Sequence, residues 1–280
     1  IICVGDFGTG FKEQKYVSKL IEHLSEQKLC AFILGLGDNI YPDGVISELD
    51  EKFITNFEDP YKNIPKHIKF YHCLGNHDYH GNVQAQIDYS HVCKSNRWVL
   101  PDNYYCFYGK VNNIDCDFFS IDTNLYFNNN TKTQQVHEDW LISQLKNSKR
   151  RWRIVYGHHP WKSSGSHGDC NELLDKFYQK ISDTHKVDVI LSGHDHDQQH
   201  IYIPDKPHLF ISGTGGKIRH CDSEERFTKH PGYLKFFTEK LGCLQIIPYK
   251  NHLDVTIYTT NNKKDHKKAY SFKINKRLNT

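Results

Sequence analysis

Methionine is absent from this sequence of 280 residues, and long apolar runs are absent as well. No stretch approaches the roughly 18 consecutive apolar residues of a membrane-spanning helix, so no membrane span is expected. The formal net charge of +3 is too small to indicate a nucleic-acid partner. Because the chain lacks methionine and opens on the apolar run Ile1-Ile2-Cys3-Val4, we expect that it has been processed or trimmed.

The nine cysteines include no C-x-x-C pair, so a zinc site built from thiolates is not expected. Cys3, Cys30 and Cys73 lie in apolar stretches and are predicted to be small core residues. Some of the other cysteines could pair if the protein is secreted. Under the same condition, the sequon that begins at Asn129 is a glycosylation candidate.

Apolar runs of strand length alternate with helical patterns and then give way to a run of strands, which indicates an α/β sandwich with sheet at its centre. Helical spacing of apolar residues predicts helices near residues 12–28 and 170–185, the second with Leu173 inward. A mostly helical segment after Pro42 is predicted to place Leu49, Phe53, Ile54 and Phe57 on one face. The predicted strands are residues 1–4, 31–36, 69–74, 117–121, 153–156, 187–191, 209–212, 242–248, 253–258 and 269–274.

Five of these strands end at a glycine next to a side chain that can bind a metal. Ligands bind at the carboxyl ends of strands in open α/β sheets, and glycine lets the backbone approach a ligand closely. Each motif alone is an ordinary turn, but five along one chain favour a metal site. The side chains exceed what one ion needs, which predicts two ions that share a carboxylate. The motifs are Gly5-Asp6, Gly37-Asp38, Gly75-Asn76-His77-Asp78, Gly157-His158 and Gly193-His194-Asp195-His196.

With Tyr41 three residues after Asp38, these motifs resemble the signature of the metallophosphoesterase superfamily, and in particular of the small, tartrate-resistant type of purple acid phosphatase. The resemblance covers nearly the whole chain. It implies a four-layer α/β/β/α sandwich, with two mixed sheets flanked by helices, in one domain over residues 1–280. It further implies a monomer that hydrolyses phosphate monoesters and is secreted, lysosomal or vacuolar.

The resemblance also implies a role for each matching residue. Asp6, Tyr41 and His196 would hold Fe(III), and Asp38 would bridge this ion to a second one. Asn76, His158 and His194 would hold the second ion, a divalent iron, zinc or manganese. A phenolate is a hard anionic donor suited to Fe(III), and it would colour the protein by charge transfer.

The implied reaction is attack of a metal-bound hydroxide on the phosphate monoester at acid pH. His77 would stabilise the developing charge and help to protonate the leaving group. His167, nine residues after His158, falls where the family has a second histidine that faces the substrate. An exposed loop histidine is the alternative interpretation of His167.

Three departures from the family pattern affect these expectations. Residues 124–134 are predicted to be a loop that aligns with the regulatory loop of the mammalian enzymes, but it is shorter, so activation by cleavage is not expected. Cys170 matches one of the two cysteines of the mammalian disulfide, but no clear cysteine follows Asp122 at the position expected for the other. His159 replaces another residue and could crowd or assist the substrate.

Two alternative functions stay open. One is a dimetal phosphodiesterase or nucleotide hydrolase of the same superfamily, although those enzymes generally lack the tyrosine. The other is a non-catalytic scaffold that keeps its metals for structure.

Overall fold

The computed structural model describes residues 1–27, 30–128, 130–184, 186–220 and 232–276. Its helices are α1 (Lys12–Glu26), α2 (Asp59–Tyr61), α3 (Val83–Val92), α4 (Thr131–Asn147) and α5 (Glu172–Ser182). Its strands are β1 (Ile2–Val4), β2 (Ile33–Gly35), β3 (Phe70–His72), β4 (Trp98–Val99), β5 (Tyr105–Val111), β6 (Ile114–Ser120), β7 (Trp152–Tyr156), β8 (Val189–Ser192), β9 (Gln198–Ile201), β10 (His208–Ser212), β11 (Leu234–Thr238), β12 (Gly242–Pro248), β13 (His252–Thr260) and β14 (His266–Asn275).

Within these ranges the strands form two mixed sheets of seven strands each. The first sheet has the order β14-β13-β12-β1-β2-β3-β4, in which β1 to β4 are parallel and β12 joins β1 antiparallel. The second has the order β11-β9-β10-β8-β7-β6-β5, in which β10, β8, β7 and β6 are parallel. Three parallel strands of the first sheet, β1, β2 and β3, and two of the second, β7 and β8, lead into the five glycine motifs.

The two sheets pack face to face, and three apolar cores hold the layers together. The core between the sheets includes Leu34 and Leu36 from the first sheet and Phe118, Ile154 and Leu191 from the second. Residues of α1, α2 and α3 cover the outer face of the first sheet, and residues of α4 and α5 cover that of the second. The predicted four-layer α/β/β/α sandwich is confirmed.

The sequence patterns that predicted these elements have a direct structural cause. Strands β1, β2 and β8 are buried at every position because both of their faces are covered, which explains their continuous apolar runs. Helix α1 turns Val17, Leu20 and Leu24 towards the sheet at helical spacing. Lys28 and His185, the predicted last residues of two helices, lie outside the described residues.

Two predicted helix faces were wrong. Phe53 and Phe57 are buried, but Leu49 and Ile54 are 81% and 50% exposed. Leu49 lies in a turn that precedes the helical segment, and the π-helical turn Ile54–Glu58 leaves Ile54 facing solvent. Leu173, in the first turn of α5, is 40% exposed rather than inward.

The predicted loop at residues 124–134 is largely helical. A 3-10 turn covers Thr123–Phe127, and α4 begins at Thr131. The Asn130 side chain caps this helix by accepting a hydrogen bond from the Thr133 backbone N–H at 3.2 Å. The asparagines that indicated a loop therefore mark a helix start. Among the described helices, none has the length and apolar character needed to cross a membrane.

Candidate metal centre

The carboxyl ends of five parallel strands bring six predicted ligands to one edge of the two sheets. Asp6, Asp38 and Asn76 follow β1, β2 and β3 of the first sheet. His158 follows β7 of the second sheet, and His194 and His196 follow β8. The ligands thus come from both sheets.

One group of donor atoms surrounds the hydroxyl of Tyr41. This hydroxyl lies 3.0 Å from Asp6 Oδ1 and 3.3 Å from His196 Nε2. His196 Nε2 is in turn 3.2 Å from Asp6 Oδ1. The three side chains are buried and form a closed triangle of one phenol, one carboxylate and one imidazole.

A second triangle joins Asn76, His158 and His194. Asn76 Oδ1 lies 3.1 Å from both His158 Nε2 and His194 Nδ1. The two imidazole nitrogens are 3.3 Å apart. His158 Nδ1 lies 2.9 Å from the Leu36 carbonyl oxygen, which can only accept, so Nδ1 carries a proton and Nε2 is the nitrogen that a metal could bind.

The carboxylate of Asp38 stands between the two triangles. Its Oδ2 accepts a hydrogen bond from the Tyr41 hydroxyl at 2.8 Å, and its Oδ1 lies 3.3 Å from His158 Nε2. Each oxygen of this one side chain therefore faces a different triangle.

These spacings fit metal binding. Donor atoms held about 2.1 Å from one ion are separated from each other by roughly 3.0–3.4 Å in tetrahedral or octahedral geometry. The donor atoms within each triangle are separated by similar distances. The residues present can accordingly hold two ions, one on each side of Asp38.

The backbone at the centre is strained. Asp6, Asp38 and His194 have positive φ angles of 58°, 50° and 69°, a conformation that favours glycine. The backbone also packs closely here, since a Cβ on Gly75 would lie 2.2 Å from the Asp38 backbone nitrogen. Strain at three predicted ligands indicates that the surrounding fold fixes the direction of these side chains.

The ionisable groups are strongly coupled. Burial works against a charged Asp38, but the facing His158 lowers the pKa of this carboxyl well below its usual value. Against its own burial, His158 has its pKa raised to about 9 by Asp38. Burial, followed by the carboxylates of Asp6 and Asp38, raises the pKa of the Tyr41 phenol well above normal. Without a cation at the centre, the phenol is therefore protonated.

The two predicted catalytic histidines lie at opposite ends of the centre. The ring of His77 is 4.5 Å from that of Tyr41, and its backbone N–H donates to Asp38 Oδ1 at 2.9 Å. The ring of His167 is 4.2 Å from that of His194. Both side chains are about one-third exposed, at 30% and 33%, so a substrate can reach them.

Two buried carboxylates that support these side chains were not predicted. Asp78 accepts hydrogen bonds from the backbone N–H groups of Asn39 at 3.0 Å and Gly75 at 2.8 Å. Asp195 Oδ1 lies 3.0 Å from His167 Nδ1 and also accepts from the His167 backbone N–H. Each aspartate directly follows a histidine of a strand-end motif, and that adjacency is the signal that could have identified them.

The remaining predicted features have mixed outcomes. His159 is buried behind the centre, with Nδ1 2.8 Å from Thr123 Oγ1 and its ring 4.5 Å from that of His194. Burial, followed by the charge of His158, holds the pKa of His159 well below the ordinary value.

The described cysteines are free thiols, and Cys3, Cys30 and Cys73 are buried as predicted. Cys170 Sγ contacts the Trp161 carbonyl oxygen. Asn129 lies outside the described residues.

Sequence similarity to known proteins extends over most of this chain. Purple acid phosphatase 17 of Arabidopsis thaliana is 32% identical over 258 residues, which cover 87% of this chain and 75% of that protein. Tartrate-resistant acid phosphatase type 5 of Oryctolagus cuniculus is 32% identical over 261 residues, which cover 84% of this chain and 78% of that protein.

One solved structure, of GAP50, the anchor in the inner membrane complex of Plasmodium, superimposes with a TM-score of 0.86. The superposition covers 99% of this chain and 88% of the GAP50 chain, and the two sequences are 22% identical. This similarity supports the fold. The calcineurin-like phosphoesterase family matches residues 1–198. The chain therefore belongs to the calcineurin-like phosphoesterases and, within them, to the purple acid phosphatase family.

Proposed function

We propose that this protein is a dinuclear metal-dependent acid phosphatase that hydrolyses phosphate monoesters. The observation that carries the proposal is the position of Asp38, with one carboxylate oxygen towards each triangle of donor atoms. Two ions that share a carboxylate can clamp both oxygens of a phosphoryl displacement. The similarity to purple and tartrate-resistant acid phosphatases supports the same reaction class.

The donor sets suit two different ions. Asp6, Tyr41 and His196 offer two anionic oxygens and one nitrogen, which favours Fe(III). Asn76, His158 and His194 offer neutral donors, which favours divalent iron, zinc or manganese. When bound, the ions supply Lewis acidity to the phosphoryl group and activate the attacking water.

His77 is the proposed proton donor to the leaving group. Its Nδ1 is hydrogen-bonded to the Pro42 carbonyl oxygen, which can only accept, so Nδ1 carries a proton. Its Nε2 lies 4.0 Å from Asp38 Oδ2 and faces the centre. A protonated Nε2 at this position can therefore donate to an ester oxygen held over Asp38.

His167 has a different arrangement and is proposed as a second residue that faces the substrate. Arg219 Nη1, which is always a donor, lies 2.6 Å from His167 Nε2. His167 Nδ1 therefore carries the proton that Asp195 accepts. While Arg219 stays in contact, Nε2 of His167 has no proton to give.

The test is hydrolysis of an aryl phosphate monoester and an aryl phosphate diester over an acid-to-neutral pH series, by the unaltered protein and by Asp38→Ala. We expect monoester turnover at acid pH, and in the variant a loss of more than about a hundredfold, the upper effect of losing an outer metal partner. Elemental analysis should show that Asp38→Ala also loses metal.

Asp254→Asn is the matched control, because its carboxylate is partly exposed on β13 and its ion-pair partner is His252. It should keep metal and turnover. Preference for the diester would favour the phosphodiesterase alternative. A fully metallated protein without turnover would favour the non-catalytic scaffold. An active Asp38→Ala variant with full metal content would contradict the proposal that Asp38 bridges the two ions.

We also propose that residues 1–280 form a single domain. The core between the sheets contains both Ile1 and Ile274, from opposite ends of the described chain. It also contains residues of both sheets, so separating the two sheets would expose apolar surface on each of them.

A further inference from the structure

A second cluster of side chains that can bind a metal lies at the rim of the metal centre. This rim cluster consists of Asp43, His77 and His80, and one donor atom from each lies within 4.8 Å of the other two. His80 Nδ1 is 3.4 Å from Asp43 Oδ1, and the rings of His77 and His80 are 5.1 Å apart. Neither Asp43 nor His80 belongs to the two triangles of donor atoms, so the proposed dinuclear centre does not use them.

The backbone holds the two parts of the rim cluster together. One segment follows β2 and carries Asp43, and the other follows β3 and carries both histidines. A Cβ on Gly81 would lie 2.5 Å from the Asp43 carbonyl oxygen, and one on Gly44 would lie 2.9 Å from the Asp78 carbonyl oxygen. Glycine at these two positions allows the segments to approach this closely. The fold therefore fixes the backbone from which the three side chains extend.

His77 is the residue that the rim cluster shares with the proposed reaction. Its ring neighbours that of Tyr41 in the first triangle at 4.5 Å and that of His80 at 5.1 Å. The exposed fraction of the side chain is 30% for His77, 52% for His80 and 67% for Asp43. An ion can consequently reach the rim cluster from solvent without passing through the buried centre.

Two imidazoles and one carboxylate favour a divalent ion of intermediate softness. Imidazole suits zinc, copper and nickel, whereas Mg²⁺ prefers oxygen ligands. Ligands about 2.1 Å from one tetrahedral zinc ion are roughly 3.4 Å apart. The distance between His80 Nδ1 and Asp43 Oδ1 already has this value, at 3.4 Å. Because both of these side chains are exposed, they can turn towards an ion that is also bound by His77.

We propose that Asp43, His77 and His80 form a third metal site, which binds zinc and thereby inhibits the enzyme. The inhibitory effect rests on the proposed function, in which His77 donates a proton to the leaving group. A ring nitrogen that binds a metal uses the lone pair that a proton would occupy. A zinc-bound His77 is therefore withdrawn from the reaction, while the two ions of the centre stay in place.

Binding and inhibition by added zinc are measured separately. The protein is first loaded at the centre with iron and zinc, so that added zinc cannot act by replacing another divalent ion there. Calorimetry is done near neutral pH, because neutral imidazole is the form that binds a metal. It should detect one further zinc ion per chain. Hydrolysis of an aryl phosphate should fall as this ion binds, and Mg²⁺ at the same concentration should have neither effect.

Asp43→Ala and His80→Gln each remove one ligand and leave His77 in place. In both variants, the affinity for the further zinc ion should fall by at least about tenfold, since loss of an outer partner alone weakens a metal site about tenfold to a hundredfold. The zinc concentration that halves turnover should rise by the same factor. It is compared with the turnover of the same variant without added zinc, which separates inhibition from any change in the reaction itself.

His252→Gln is the matched control, because His252 Nε2 lies 3.5 Å from the carboxylate of Asp254 on β13, away from the rim cluster. It should bind and respond to zinc as the unaltered protein does. Zinc binding that persists in both rim variants, or equal inhibition by Mg²⁺, would overturn the third site. Loss of zinc binding without loss of inhibition would overturn its inhibitory role. Failure of the proposed function looks different, because the unaltered protein would then not hydrolyse aryl phosphate, while calorimetry would still measure zinc binding at the rim cluster.

Discussion

The hydroxyl of Tyr41 donates to one of two carboxylates that would otherwise face each other. It lies 3.0 Å from Asp6 Oδ1 and 2.8 Å from Asp38 Oδ2, and the side chain is 6% exposed. Buried carboxylates without a donor or a cation are unfavourable. The same atom therefore stabilises the metal-free fold and, once deprotonated, would be the proposed ligand of the first ion.

This double role gives a prediction for Tyr41→Phe. If Tyr41 is the proposed Fe(III) ligand, the iron-loaded variant should lack the visible absorption band of the unaltered protein, because the phenolate needed for charge transfer is gone. Without metal, the variant should unfold with a free energy lower by about 1–3 kcal/mol, the cost of leaving a buried acceptor unsatisfied. Absorption spectroscopy and urea unfolding measure the two effects. A variant that stays coloured would place the chromophore on another residue.

At the residue scale, the sequence predicted which side chains meet but not what holds them. Most of the proposed ligands were predicted because they lie at a glycine after an apolar strand, a signal that can be read without knowing any contact partner. Tyr41 was predicted from the family resemblance instead. Asp78 was missed because its role consists of hydrogen bonds to distant residues, including Gln86 at 2.9 Å. Positive φ angles at Asp6 and His194 were likewise invisible, because tertiary packing imposes them.

At the scale of the elements, the residue that precedes α5 connects this helix to the 3-10 turn at Thr123–Phe127, on the same face of the second sheet. The Asn171 side chain accepts a hydrogen bond from the Leu174 backbone N–H at 3.0 Å, which caps the helix. The same side chain donates through Nδ2 to the Tyr126 carbonyl at 3.0 Å. One residue thereby fixes both the start of α5 and its distance from the turn at Thr123–Phe127.

Asn171→Ala removes both hydrogen bonds, whereas Asn171→Asp removes the donor and keeps the cap. We expect the alanine variant to lose about 1–2 kcal/mol in free energy of unfolding and the aspartate variant clearly less. Urea unfolding of the two variants beside the unaltered protein measures the difference. Equal destabilisation by both substitutions would assign the whole effect to the Tyr126 contact instead of the cap.

Element prediction succeeded where burial follows a simple period and failed where it does not. The strands with continuous apolar runs and helix α1 were found at nearly their observed positions. Helix α3 was missed because its buried face includes Gln86, whose polarity hides the period and whose amide is satisfied by Asp78. Strand β9 was missed for a similar reason, since its buried residues include Gln198, Gln199 and His200.

On the scale of the whole molecule, three buried histidines link stability to pH. Burial lowers the pKa of His72, His137 and His200 to about 3 in each case. They lie in different layers, so their effects should be nearly independent. An unfolded chain has ordinary histidines, which take up protons as the pH falls through about 6.5. These groups stabilise the fold fully above that pH and progressively less as the pH falls towards 3.

His137 offers the clearest test of this acid sensitivity. Its ring is buried against Tyr104, Trp140 and Phe177, and Nδ1 lies 3.1 Å from the Tyr126 hydroxyl. Each such histidine should add up to about 1.4 kcal/mol per pH unit to the pH dependence of unfolding. In His137→Gln, which cannot titrate, the slope between pH 6.5 and pH 4 should fall by about 1 kcal/mol per pH unit. Urea unfolding at equal metal content measures it, with the exposed His67→Gln as the matched control that should keep the original slope. An unchanged slope in His137→Gln would mean that the folded and unfolded chains protonate His137 together, which would contradict the role assigned to its burial.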